Sequence, residues 1–378
     1  EMCIRDRTTL TAIPGEAAAA KYASISQEIL RAIEKGNEYL KSKQNPEGYW
    51  AQPSYPALTA LAVTAYMRDP ANQGKPVPEY IRKGYDFILK SQKEDGSIFN
   101  RGMSSYNTAV CMMALLAANK EEYAPAILKG RAYLIKQQNH FAPDNPYNGG
   151  IGYGDKQAPP IADLSNTSLA LEAIYYSQKL AKDGKYGEQP DLDWNAATEF
   201  INRCQQNPAV NKEPWVSNDK SQLGGFVYRP GVSSARDKKA AAFDKAEPPK
   251  AYGSMTYAGM QSLIYANVDK NDPRVKLALK WLENSYSLDE NPGMGVQGLY
   301  YYYQAMSKAL SAMGIDTLTL ENGRKVDWRD ELANKLISIQ KSDGSWVNTN
   351  NRWWEADPVL VTSYCVLALE QLYHSIPR

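Results

Sequence analysis

The sequence predicts an all-α fold in which six helix pairs close into a ring of six inner and six outer helices. Two observations carry this. A short stretch recurs after helical patterns, as Gln340-Lys341-Ser342-Asp343-Gly344-Ser345-Trp346, Gln92-Lys93-Glu94-Asp95-Gly96-Ser97-Ile98-Phe99 and Gln44-Asn45-Pro46-Glu47-Gly48-Tyr49-Trp50. The apolar segments after these turns share a column of threonines and small residues. A turn repeated with the same flanks marks a repeat protein.

Each turn has a physical reading. Asp-Gly is strong turn chemistry, because glycine takes the left-handed conformation at little cost. The glutamine ends the preceding helix, where its amide bonds a free helix-end group. The Trp or Phe then places a large apolar ring between neighbouring helices. Looser copies run from Gln137-Gln138 to Gly149-Gly150 and from Gln205-Gln206 to Gly224-Gly225. The most degenerate copy runs from Trp281-Leu282 to Asn291-Pro292-Gly293.

In chain order, Ser24 to Gln44 carries Ile25, Ile29, Leu30, Ile33 and Leu40 at helical spacing, an amphipathic outer helix. Tyr55 to Met67 is apolar on most faces, an inner helix with Pro56 near its first turn. The later units span Tyr80 to Ala118, Tyr123 to Leu180, Trp194 to Asn267, Pro273 to Met313 and Trp328 to Tyr373. Thr59, Thr108, Thr167, Thr256 and Thr362 stand in register on the inner helices, with Leu299 in the fifth. Small residues three and six positions on, among them Ala62, Ala170, Ala65 and Ala173, let helices approach closely. An open array carries polar capping repeats. Val359 to Leu372 is as apolar as the middle inner helices, which favours a closed ring.

The chain of 378 residues, 43% hydrophobic, suffices for a large core. A net charge of +1 argues against nucleic acid or an anionic membrane surface as partner. No apolar run approaches the length of a spanning helix. The 26 Tyr and 8 Trp against 6 Phe suit a half-wet aromatic surface as well as a core. Cys111 and Cys365 fall at small-residue positions in apolar helices and read as buried, inert thiols. Residues 1–23 read as an artefactual or disordered N-terminal segment, with residues 24–378 forming a single toroid domain. Glu1 to Arg7 resembles a translated sequencing adapter, and the run Ala17 to Ala20 is consistent with the remnant of a cleavage region. Both suggest a lost signal peptide and a periplasmic or secreted protein, with a cytoplasmic one as the alternative.

Two long excursions, Asn139 to Ala162 and Asn207 to Ala251, each join an outer helix to the next inner helix. Both are therefore expected at one end of the ring, as functional rim loops or as tolerated insertions.

The Gln-x-x-Asp/Glu-Gly-x-Trp turns and the apolar inner helices after them resemble the squalene-cyclase and protein-prenyltransferase repeat superfamily, from about Ser24 to the C-terminus. That resemblance implies an (α/α)6 toroid around a central cavity that opens where the inner helices begin. It does not imply one activity, because such toroids cyclise terpenes, prenylate proteins or bind. Class II cyclases carry Asp-x-Asp-Asp-Thr at the start of an inner helix, where the middle Asp protonates an alkene. The matching stretch is Asp163-Leu164-Ser165-Asn166-Thr167, with Ser165 in place of the proton donor and Asn166 beside it. A serine supplies no strong acid, which counts against ordinary cyclase chemistry. Asp163, Ser165 and Asn166 also fit a helix N-cap. The transferases' Asp, Cys, His zinc site has no counterpart: His140 lies in a loop, His374 ends the last helix, and Leu360-Val361 stands where the zinc His would be. No metal and no cofactor is expected.

Three inner helices carry polar pairs at i and i+4: Ser168 with Glu172, Tyr257 with Gln261, and Tyr300 with Gln304. They read either as a cavity lining or as buried hydrogen-bonded stitches between helices. Glu172 is the acid among them; in an apolar cavity it is a candidate proton donor, with Asp163 a second. Trp353 and Trp354, just before the last inner helix, are candidate ligand contacts, because aromatic walls stabilise cations or stack on sugar faces. The chain thus reads as a toroid binding an apolar, isoprenoid-like or glycan-like small molecule. The alternatives are a non-standard cyclase or mutase and a protein-interaction scaffold.

Overall fold

The computed structural model describes residues 16–154, 161–235 and 248–376. Cys3 and the Glu1 to Arg7 segment lie outside them. Six outer helices alternate with six inner ones. The outer set is α1 (Glu16–Ser42), α3 (Glu79–Lys90), α5 (Ala124–Lys136), α8 (Trp194–Cys204), α10 (Pro273–Asn284) and α12 (Trp328–Ser338). The inner set is α2 (Pro56–Arg68), α4 (Ser104–Ala117), α6 (Leu164–Tyr176), α9 (Gly253–Tyr265), α11 (Leu299–Met313) and α13 (Pro358–Ser375). A short helix α7 (Gln178–Lys182) follows α6, and a two-stranded antiparallel ribbon, β1 (Leu318–Thr319) with β2 (Lys325–Val326), precedes α12. Helix α1 begins before Ser24, so the alanine run Ala17 to Ala20 is helical. No described helix is long and apolar enough to cross a membrane.

The outer helices bury one stripe, as the sequence periodicity requires. In α3 it is Ile81, Gly84, Tyr85 and Ile88; in α10 it is Val275, Ala278, Trp281 and Leu282. The inner helices are buried on nearly every face. Each inner helix packs on the next, α2 on α4, α4 on α6, α6 on α9, α9 on α11, α11 on α13, and α13 back on α2, so the ring is closed. Helix α1 packs on α13 and α12, and Tyr22 donates to Asp327 at 2.6 Å across that seam.

The recurring turn is a clip between units. Gln92 Nε2 donates to Gly96 O in its own turn at 3.1 Å and to Ala126 O on the next outer helix at 2.9 Å. Gln44, Gln138, Gln205 and Gln340 do the same, reaching Tyr80, Asp193, Arg274 and Ala32 respectively. The glutamine therefore bonds the neighbouring unit, rather than the end of its own helix as the sequence suggested. Within each clip the turn glycine lies flat on that neighbour: a Cβ on Gly96 would sit 2.2 Å from Lys129 O, and the residue is at φ +91°. The column threonines complete the motif. Each Oγ1 accepts the backbone N–H of the large residue after the glycine, at Trp50, Ile98, Ile151, Phe226 and Trp346. Unit five keeps a turn glycine, Gly293 at φ +84°, but lacks the glutamine and the threonine. There Asn291 instead ties its turn to Ser254 at the start of α9.

Cys111, Cys204 and Cys365 are buried free thiols, each pushed well above the ordinary thiol range by burial. The sequence reading of Cys111 and Cys365 as inert agrees with this.

Gly96→Ala combines a left-handed backbone with a backbone clash, so it is expected to cost about 3 kcal/mol or more. Gly184→Ala, at φ +77° with nothing within 4 Å, is expected to cost only the conformational part, about 1 kcal/mol. Thermal melting checks this; equal losses would show that the clip does not hold the units together.

Candidate functional site

The helix starts of the inner ring gather at one end, the mouth. The described parts of both long excursions lie there, as their connectivity requires. Tyr153 O accepts from Ser105 N at the start of α4, and Tyr228 O accepts from Leu164 N at the start of α6. The two loops meet where the Tyr228 hydroxyl donates to Tyr153 Oη at 3.4 Å. Unit after unit, a residue of the following repeat covers the helix start: Asn107 Oδ1 accepts from Ala57 N, Asn291 Oδ1 from Ser254 N, and the Glu355 carboxylate from Tyr300 N and Tyr301 N.

Below the mouth, side chains bridge the lumen in two layers. Tyr106 of α4, Tyr301 of α11 and Tyr364 of α13 meet in the upper layer. Tyr106 lies beside Tyr364, the Tyr301 and Tyr364 rings are 5.9 Å apart, and the Tyr301 hydroxyl lies beside Ser165 of α6. Burial pushes the Tyr106 hydroxyl up to about 12. In the lower layer Lys308 Nζ of α11 lies 2.5 Å from Glu172 Oε2 of α6, so the pair spans the width of the intervening α9. The central space implied by the family resemblance is therefore narrow and crossed by protein groups.

The polar pairs read from the sequence part company. Ser168 Oγ donates to Ala258 O, a stitch between α6 and α9. Gln261 Nε2 donates to Tyr265 Oη on its own helix. Tyr257 is fully buried and packs on Tyr302 at 5.6 Å, and Tyr300 donates to Val347 O beside the sixth turn. The lumen position on α11 belongs to Tyr301, one residue along from Tyr300, and Gln304 is half-buried one turn further. Glu172, read from the sequence as a candidate proton donor or as part of a buried stitch between helices, is ion-paired across the ring. Its partner Lys308 was missed, because the two lie on helices brought together only by ring closure. A lysine on the otherwise uncharged stretch Tyr302 to Met313 was the available signal.

Asp163 caps α6. Its Oδ1 accepts Asn166 N and its Oδ2 accepts Asn166 Nδ2, both at 2.8 Å. The capping role anticipated for Asp163 and Asn166 is thus observed. The carboxyl is buried, and that desolvation raises it to about 6 despite the hydrogen bonds and the nearby Arg229, which pull it down.

Aromatic rings form a collar around the mouth. Tyr153, Trp353 and Trp354 are 36%, 45% and 39% exposed, and Tyr55 and Tyr228 are half-buried. Trp353 lies over Gly298 at the start of α11, with the Arg352 guanidinium 4.5 Å from its ring. Trp354 packs on Tyr55 at 4.6 Å between the starts of α13 and α2. A cavity of about 180 Å³ opens beside it, lined by Gln52, Leu58, Asn351, Trp354, Asp357 and Leu360. A second cavity, of about 340 Å³, lies away from the ring centre beside Tyr286 and Glu321. His140 is on a mouth loop and His374 in the last turn of α13, at opposite ends of the ring.

Because burial holds Asp163 above the usual carboxylate range, its protonated form stabilises the fold at low pH. That contribution is lost as pH rises through about 6. Melting temperature is expected to fall between roughly pH 4 and pH 7, by up to about 3 kcal/mol in stability, and Asp163→Asn is expected to flatten that fall. Parallel pH profiles for the two proteins would refute it. For the lumen pair, Lys308→Met leaves Glu172 buried without a partner and is expected to cost about 2 kcal/mol or more. The double variant Lys308→Met, Glu172→Gln is expected to cost less than the two single changes added together. Additive costs in a double-mutant cycle would mean the pair is not coupled.

No family model matches the chain. Among solved structures, it is similar to a Scytonema type II terpene cyclase, MstE, in complex with geranylgeranyl dihydroxybenzoate. That match has a TM-score of 0.54 at 10% identity, covering 93% of this chain and 99% of that one. It is similar to Candida albicans protein geranylgeranyltransferase-I complexed with GGPP, with a TM-score of 0.57 at 14% identity, over 90% and 91% of the two chains. It is also similar to a β-1,3-1,4-glucanase from Paenibacillus sp. X4, with a TM-score of 0.51 at 12% identity, over 96% of each chain. The chain has the α/α toroid fold that terpenoid cyclases, protein prenyltransferases and this glucanase share.

Proposed function

We propose that this protein is a toroid that binds a small apolar or glycan-like ligand at its mouth. The observation that carries the reading is the aromatic collar, where Trp353, Trp354 and Tyr153 keep large ring faces in solvent above a lumen that Tyr301, Tyr364 and the Glu172–Lys308 pair already cross. Large apolar faces held in water are a cost that binding relieves. Similar toroids are described in complex with a geranylgeranyl dihydroxybenzoate and with GGPP, and another is a glucanase, so both ligand classes suit the fold.

Asp163 favours a second reading, a cyclase-like reaction. It is a buried carboxyl that holds its proton up to about pH 6, at the start of the inner helix whose second position, Ser165, touches Tyr301. It would serve as the acid in place of the absent middle Asp, with the tyrosines facing a cationic intermediate. Glu172, ion-paired to Lys308, is the weaker candidate for that role.

Native mass spectrometry after incubation with lipid and glycan extracts tests the binding reading. A bound mass is expected on the unmodified protein and is expected to disappear from the Trp353→Ala, Trp354→Ala double variant while the melting temperature stays within a few degrees. A bound mass indifferent to that change would place the ligand elsewhere. Squalene and geranylgeranyl diphosphate incubations, read by gas chromatography, address the second reading. Cyclised product lost in Asp163→Asn would establish it, and absence of product would leave binding alone.

A further inference from the structure

The cleft beside Trp354 differs from the rest of the collar in three ways, and together these specify a ligand class. First, it has an apolar floor and wall. Leu58 and Leu360 are buried beneath it, and Trp354 is fixed by its contact with Tyr55. Second, its rim carries hydrogen-bonding groups with spare capacity. Asp357 uses Oδ1 to accept Val359 N, the side-chain amides of Gln52 and Asn351 make no hydrogen bond among the described residues, and both of those residues are exposed. The lining includes one carboxylate and no cation, which disfavours a phosphate or diphosphate.

Third, the chain accepts strain to hold the two tryptophans out. Trp353 and Trp354 sit at φ 55° and 64°, a region that costs a residue other than glycine of order 1–3 kcal/mol. The surroundings enforce it. Glu355, next in sequence, is buried with its carboxylate held by Tyr300 N, Tyr301 N and Asn348 Nδ2, and Glu355 O accepts Asn348 N.

An apolar face, a ring of amides and a carboxylate, and room for about one six-membered ring suit a neutral sugar, whose C–H face stacks on an aromatic while its hydroxyls reach the rim. Resting on the mouth-binding reading above, we infer that the Trp354 cleft is a subsite for one neutral pyranose unit of a glycan chain, with Trp354 as the stacking platform and Gln52, Asn351 and Asp357 as the hydroxyl partners. Trp353 and Tyr153, further round the collar, lie where neighbouring units of the same chain would run.

Tryptophan-fluorescence quenching and isothermal titration with cellohexaose, laminarihexaose, xylohexaose and mannohexaose, and in parallel with geranylgeranyl diphosphate, test the assignment. At least one hexasaccharide is expected to saturate, and Trp354→Ala is expected to weaken it by about tenfold or more, the scale of a lost aromatic stack. The Gln52→Ala, Asn351→Ala double variant changes two exposed side chains that make no hydrogen bond among the described residues. It is expected to fold normally and to weaken the same sugar several-fold. No saturable sugar in the panel, or sugar binding unchanged in both variants, overturns the subsite. If only geranylgeranyl diphosphate binds, and Trp354→Ala weakens it, the glycan class falls while ligand binding at the mouth stands. If neither class binds and no collar-dependent mass is found, both fall.

Discussion

The structure depends on a glutamine amide that bonds two carbonyls at once. One belongs to its own turn and the other to the neighbouring outer helix, and five of the six turns repeat the contact. The bond is buried or half-buried, so leaving either carbonyl unmet would cost more than the bond itself contributes. The turn glycine lies against the same neighbour, at a backbone angle and a spacing that exclude a Cβ. Because Gln340 reaches Ala32, the last turn grips the first helix, and the ring closes with the interaction that builds each step within it. Unit five, where the clip is missing, is held by ion pairs and tyrosine bonds instead. Lys335 meets Asp289 at 2.6 Å, and the Tyr286 hydroxyl meets Glu331 at 3.0 Å.

Closure sets the chemistry available at the centre. Inner helices drawn together by small residues leave a narrow lumen, and residues from α4, α6, α11 and α13 meet across it. Glu172 and Lys308 meet there because an unpaired charge in that setting would be expensive. The mouth is less constrained, because the long connections and the segment between the unit-six turn and α13 carry no copy of the clip. The collar, the strained tryptophans and the raised Asp163 all lie at that end.

What the sequence determined by itself was the repeat and its consequences. Turn chemistry, helical period and the threonine column are local signals, and they yield six helix pairs, their order, the ring and the end at which the long loops lie. The capping role of Asp163 and Asn166 was legible for the same reason, since an N-cap is set within a few residues. Tertiary structure decided what faces what across the ring. A one-residue difference in rotation gives the lumen to Tyr301 rather than Tyr300, and periodicity does not resolve rotation to that accuracy on a helix buried all round. The Lys308 partner of Glu172, the neighbour gripped by each glutamine, and the cleft formed by Trp354 with Tyr55 join residues far apart in sequence. Their meeting depends on closure of the whole ring, and no local pattern encodes that distance.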